Sequence, residues 1–171
     1  MDIITALALS IGILGGVATY LFLSPFGMGL QIWAAFIGWA SYYHCGGKAK
    51  GFADSALANI WGVVMGGLTL LAITRGGFAD SLGLPVWAGI CVAIGVAVMV
   101  LGAKIPLFAA IPAAVYGYAA TVAFTLLSKD GVAHLTAPSL DNPAVIVALS
   151  LVIGGLFGYI SQQIAGALAK S

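Results

Sequence analysis

Long apolar runs, interrupted at glycine, proline and scattered charge, make up nearly the whole chain. A helix that crosses a bilayer needs about 20 consecutive apolar residues. Reading between the interruptions predicts six such segments. The first covers Ile3 to Leu23 and stops at Ser24-Pro25-Phe26-Gly27. The second covers Leu30 to Cys45 and stops at Gly46-Gly47-Lys48; the third covers Phe52 to Ile73 and stops at Thr74-Arg75-Gly76-Gly77. Asp80 and Ser81 then offer a cap and Pro85 suits a first turn, so a fourth runs on to Ala103. Lys104-Ile105-Pro106 divides it from a fifth that reaches Leu127, whose hydrogen-bond ladder Pro106 and Pro112 are expected to weaken. A longer loop, "SKDGVAHLTAPSLDN", precedes the sixth, which starts past Asp141-Asn142-Pro143 and ends near Lys170. The runs lack the period-two alternation of barrel strands. The expected fold is an all-α membrane protein of six transmembrane helices, one domain over residues 1–171.

Composition agrees with lipid as the main solvent. Of 171 residues, 62% are hydrophobic and 6% charged, and mean hydropathy is +1.14. A soluble domain carries about 25% charged residues. A net charge of +1 provides no basic field for nucleic acid. Cys45 and Cys91 are 46 positions apart and fit neither a zinc spacing nor a disulfide framework, so both read as small hydrophobes. The start "MDIITALALS" has an acid where a cleaved signal needs a basic region.

Basic residues set the expected orientation. With the N-terminus inside, Lys48, Lys50, Lys104 and Lys170 face the cytoplasm, and Arg75 and Lys129 face outward with Asp80, Asp130 and Asp141. Six spans then place both termini in the cytoplasm.

The chain also resembles itself. Trp33-Ala34-Ala35-Phe36 resembles Phe108-Ala109-Ala110-Ile111 at an offset of 75, which also pairs Tyr43 with Tyr118. Val64-Met65-Gly66-Gly67-Leu68 resembles Val152-Ile153-Gly154-Gly155-Leu156 at an offset of 88. The halves would be residues 1–77 and 78–171. Three helices per half force opposite orientations, the 3+3 inverted repeat of many transporters and channels.

The stretch "IWAAFIGWASYYHCGGKAKGF", followed by "ANIWGVVMGGL", is similar to the YcdZ-like family of small bacterial inner-membrane proteins (domain of unknown function 1097). The resemblance covers most of the chain. It implies a protein of the bacterial inner membrane and brings no activity and no catalytic residues. The family pattern has proline just after the cysteine, where this chain has Gly46, and here His44 precedes Cys45.

Catalytic chemistry is poorly supplied. No acid lies mid-span, and the topology puts His44 and His134 on opposite faces. No nucleophile motif, phosphate-binding loop or metal cluster is present, so an enzyme, a cofactor and a metal site are not expected. Asp54, one turn into the third span, reads as a partner for Lys48 or Lys50. What remains inside the membrane is aromatic and weakly polar. Candidate residues for a solute path are Trp33, Trp39, Tyr42, Tyr43, His44, Asn59, Tyr116 and Tyr118, with Thr121, Tyr159, Ser161, Gln162 and Gln163 nearby in sequence or span. The bland alternative is that these aromatics mark the membrane interface and bond neighbouring helices. Gly12 and Gly16, Gly62 and Gly66, and Gly154 and Gly158 form three G-x-x-x-G pairs for close helix packing, within the subunit or between copies.

A charge-free path of phenols, indoles and amides suits a small neutral or weakly polar solute such as urea, ammonia or an amide, and repels ions by failing to replace their hydration. The leading expectation is a channel or facilitator for such a solute, with the lipid bilayer and further copies of the chain as expected partners. A secondary transporter of a small organic substrate and a non-transporting scaffold or accessory subunit stand as alternatives.

Overall fold

A computed structural model describes residues 1–170; Ser171, the end assigned to the cytoplasm by the expected topology, lies outside them. The described residues form helices joined by turns, without a strand. The long or moderately long helices are α1 (Ile3–Leu23), α2 (Ile32–His44), α3 (Lys48–Arg75), α5 (Leu84–Leu101), α6 (Ile111–Leu127) and α8 (Pro143–Lys170). Two four-residue helices, α4 (Ala79–Leu82) and α7 (Gly131–His134), lie in the connections. Four helical stretches are long and apolar enough to cross a membrane: Ile3–Leu23, Lys48–Arg75, Leu84–Lys104 and Pro143–Ala169. At 13 and 17 residues, α2 and α6 are shorter.

Local chemistry explains most boundaries. Asp2 caps α1 by accepting from the Thr5 backbone N–H at 3.0 Å and the Thr5 hydroxyl at 2.6 Å. Between α2 and α3, Gly46 and Gly47 adopt φ of +87° and +68°, a left-handed turn that ends one helix and starts the next. Two expectations need correction. Asp80 and Ser81 sit inside α4 and do not cap α5, whose N-cap is Gly83 without a side-chain bond. Pro106 and Pro112 do not weaken α6. Pro106 belongs to a 3-10 turn, Pro106–Phe108, and Pro112 lies in the first turn of α6, where its missing N–H removes no ladder bond.

The chain divides into two compact units. Unit 1 is Met1–Ala56 with the chain from Leu149 onward, and unit 2 is Leu57–Ala148. They do not coincide with halves 1–77 and 78–171. Unit 1 therefore contains α1, α2 and most of α8; unit 2 contains most of α3 with α5 and α6. In unit 1, α2 and α8 run parallel, since Gln31 meets Ser150 and Tyr43 meets Ser161. In unit 2, α3 and α6 run parallel, since Gly62 meets Ala114 and Gly66 meets Thr121. Here α5 runs antiparallel to α3: the Trp61 indole donates to the Met99 carbonyl and the Trp87 indole to the Ile73 carbonyl.

Candidate functional site: two polar helix seams

Each parallel pair is built on a reciprocal glycine contact. In unit 1, Gly38 has no room for a Cβ because it would collide with the Leu151 carbonyl, and Gly154 has none because of the Ala35 carbonyl. In unit 2, Gly117 abuts the Asn59 carbonyl and Gly62 the Ala114 carbonyl in the same way. Ala35 and Ala114 lie 79 positions apart, as do Gly38 and Gly117; Gly154 and Gly62 lie 92 apart, as do Leu151 and Asn59. The matches at offsets of 75 and 88 are thus one helical turn short of the contacts. In the contact register "AAFIGW" (34–39) meets "AAVYGY" (113–118), and Gly154-x-x-x-Gly158 meets Gly62-x-x-x-Gly66. Gly66 and Gly158 are also closely approached, by Tyr118 and by Tyr42 with Trp39. By contrast, Gly12 and Gly16 have open space where a Cβ would lie.

Around the frame of unit 1 the polar side chains are hydrogen-bonded. Ser161 Oγ donates to the Gly158 carbonyl at 2.7 Å, accepts from the Trp39 indole at 3.1 Å, and lies 2.7 Å from the Tyr43 hydroxyl. The Tyr42 hydroxyl donates to Gln162 Oε1. The Lys48 backbone N–H donates to both of those oxygens at 2.8 Å. The Ser55 hydroxyl donates to Ser41 at 2.8 Å, and the Gln31 N–H to the Ser150 hydroxyl at 2.9 Å. Trp39 also stacks between Phe36 and Phe157. Tyr42 is fully buried.

The seam of unit 2 differs. The Tyr118, Thr121 and Thr125 hydroxyls are buried without a hydrogen-bond partner among the described residues. Spacings of three and four place them in a row along one face of α6, spanning about 10 Å of axis. A helical threonine commonly bonds the carbonyl four residues back, as Thr19, Thr69 and Thr74 do at 2.8 Å. Thr121 and Thr125 make no such bond. An unpaired buried hydroxyl costs about 1–3 kcal/mol. Beside the row, Thr69, Leu70, Ile73 and Tyr118 help to line a largely apolar cavity of about 380 Å³.

The eight path candidates therefore fall into two groups. Trp39, Tyr42 and Tyr43 converge on Ser161 and Gln162 in unit 1, whereas Trp33 is partly exposed and donates to Gln31 at 3.1 Å, and His44 is exposed at the helix end. In unit 2, Asn59 is buried at the Gly117 contact and Tyr118 opens the hydroxyl row; Tyr116 is half-buried. Asp54 pairs with Lys50 at 2.5 Å in an exposed i,i+4 bridge. Thr125 escaped the sequence reading, although its spacing of four from Thr121 was a usable signal.

A family model described as "Protein of unknown function (DUF1097)" matches residues 8–166. No curated protein and no solved structure matches the chain.

Proposed function

We propose, for a chain that belongs to the DUF1097 family of proteins of unknown function, facilitated passage of a small neutral or weakly polar solute along α6 of unit 2. The observation that carries this reading is the row of unpartnered buried hydroxyls at Tyr118, Thr121 and Thr125. Lipid offers such groups nothing, so their desolvation cost is offset when a passing solute or water bonds them. The row carries no charge. It suits a solute that gives and takes hydrogen bonds and leaves an ion without compensation.

The proposal includes six spans, with α2 and α6 as the short members at about 20 and 25 Å. It also includes a 3+3 inverted repeat. Support comes from the matching reciprocal glycine contacts, and from the unit boundaries at Leu57 and Leu149, which are 92 positions apart. Each unit then pairs the second helix of one half with the third helix of the other. Non-helical approaches to short helices are tolerated at membrane depth where they line a cavity. A bacterial inner-membrane location with cytoplasmic termini, and assembly as a homo-oligomer, complete the proposal; the open faces of Gly12 and Gly16 leave α1 free for close approach by a second copy.

The test is solute flux into proteoliposomes for urea, formamide and glycerol, with and without ion gradients. The expected result is flux above that of protein-free vesicles, independent of the gradients and lowered at least tenfold in Thr121→Val. Flux equal to the protein-free background, or unaffected by that variant, overturns the reading. Flux that needs a gradient replaces it with coupled transport.

A further inference from the structure

Building on that reading, we propose that unit 2 captures its solute in a pocket at the loop end of α6, and that the solute is a small planar N–H donor of the urea and primary-amide class. The pocket holds about 310 Å³ and is walled by Thr125, Ser128, Asp130 and the turn from Gly131 to Ala133. Thr125 is 1% exposed, and its hydroxyl has no partner. Thr125, the last member of the hydroxyl row, is thus one of the residues of the pocket wall, with its hydroxyl buried.

The wall is fixed by its own packing. Gly131 sits where a Cβ would collide with the Thr125 carbonyl, and its N–H donates to the Ser128 carbonyl at 3.2 Å. The His134 N–H donates to the Asp130 carbonyl at 3.1 Å. Further along the loop, Asn142 donates to the carbonyls of Leu135 and Ala137 at 2.9 and 3.1 Å and accepts from the Ala144 N–H at 2.9 Å. The loop that forms the pocket is therefore tied to the start of α8.

The chemistry at this end of α6 favours a hydrogen-bond donor. Asp130 carries a carboxylate and Ser128 a hydroxyl, the unpaired Thr125 hydroxyl is buried within the wall, and the last carbonyls of a helix carry partial negative charge. An ammonium group would be held here, but beyond Thr125 the row has no charge to accompany it. A flat, uncharged amide offers N–H groups to these acceptors and a carbonyl to a hydroxyl. It can pass from Thr125 to Thr121, about 6 Å along the axis, exchanging one hydrogen bond at a time.

Thiol protection tests this without relying on flux. Ala133 is exposed on the pocket wall, so Ala133→Cys introduces a reporter for a thiol-reactive maleimide in the full-length protein in detergent. Cys91 is buried, and Cys45→Ser in the same protein removes the half-buried native thiol from the background. Formamide should slow labelling at least threefold, while N,N-dimethylformamide, which keeps the carbonyl and lacks N–H groups, should not. Adding Thr125→Val and Asp130→Asn should abolish the protection. Equal protection by both probes, no protection by formamide, or protection that survives the added substitutions overturns the proposal. The comparison of the two probes stands even where the added substitutions impair folding. Flux without protection refutes this capture site alone; protection without flux refutes the passage reading alone.

Discussion

The two seams share a glycine frame and differ in what surrounds it. At offsets of 79 and 92, the unit 1 pair Tyr42–Gln162 corresponds to Thr121 and Leu70, and Trp39–Ser161 corresponds to Tyr118 and Thr69. The Ser41–Ser55 hydrogen bond corresponds to Ala120 and Val147, and Gln31–Ser150 to Ala110 and Ala58. Unit 1 has partners on both helices. At the matching positions unit 2 either lacks both polar groups or keeps a hydroxyl on α6 matched to an aliphatic residue on α3, and Thr69 turns its own hydroxyl back to the Met65 carbonyl. One frame thus supports a closed polar network and an open one. The difference teaches that the two seams, alike in glycines and aromatics, are told apart by unmet hydrogen-bonding capacity, the feature on which the proposed path rests.

The frame itself should give the largest effects. Gly154→Ala and Gly62→Ala each drive a methyl group into a backbone carbonyl that cannot rotate away. Both should lose about 3 kcal/mol or more and fail to give a cooperative thermal transition in detergent. Gly12→Ala and Gly16→Ala meet open space and should keep or slightly raise stability, since alanine favours helix by up to about 1 kcal/mol. A tolerant Gly62 beside an intolerant Gly154 would break the equivalence of the frames.

The polar groups should respond with opposite signs. Tyr42→Phe leaves the Lys48 N–H and Gln162 with one partner fewer in a buried network, a loss of about 1–3 kcal/mol. Thr121→Val removes an unpaired hydroxyl at nearly constant shape and should leave the melting temperature unchanged or raised. Destabilisation of similar size in both would show that the Thr121 hydroxyl is as well satisfied as the Tyr42 hydroxyl. A smaller, sharper change is Leu70→Gln, which puts the amide of Gln162 at the matching place in unit 2. It should lower flux at least tenfold by occupying the row, with stability within about 1 kcal/mol of the parent. Undiminished flux would place the path away from α6.

Helix ends were legible where backbone chemistry is strongest. The first helix runs from Ile3 to Leu23 and stops at Ser24 as read, and Gly46-Gly47 separated α2 from α3 because both glycines take left-handed dihedrals. Pro112 misled because proline in a first turn and proline within a helix look alike when the start of the helix is unknown. The sequence matches at offsets of 75 and 88 and the glycine contacts at 79 and 92 differ by four; small residues recur at helical spacing, so a shift of four preserves the apparent face. The seams were less legible. The partners of Tyr42 and Tyr43 lie about 120 positions away, and the lack of a bond at Thr121 and Thr125 depends on side-chain rotamers that composition does not encode.

The smallest expected effect separates the starts of two helices, α1 in unit 1 and α5 in unit 2. Asp2 is exposed, and its carboxyl is held below the usual 3.8 by hydrogen bonds from the Thr5 hydroxyl and then the Thr5 N–H. Its folded pKa is depressed, so the contribution to α1 is present above the unfolded value and is lost as pH falls through the folded one. By contrast, α5 begins at Gly83 without a side-chain cap and relies on Pro85 in its first turn, a device that does not titrate. Amide exchange, corrected for its intrinsic pH dependence, should therefore show the first turn of α1 losing protection on acidification below about pH 4, the ordinary carboxylate range, while the first turn of α5 holds. Asp2→Asn keeps a capping acceptor and should make α1 as insensitive to pH as α5. A first turn of α1 that loses protection equally in the parent and in Asp2→Asn would assign the acid sensitivity to another group.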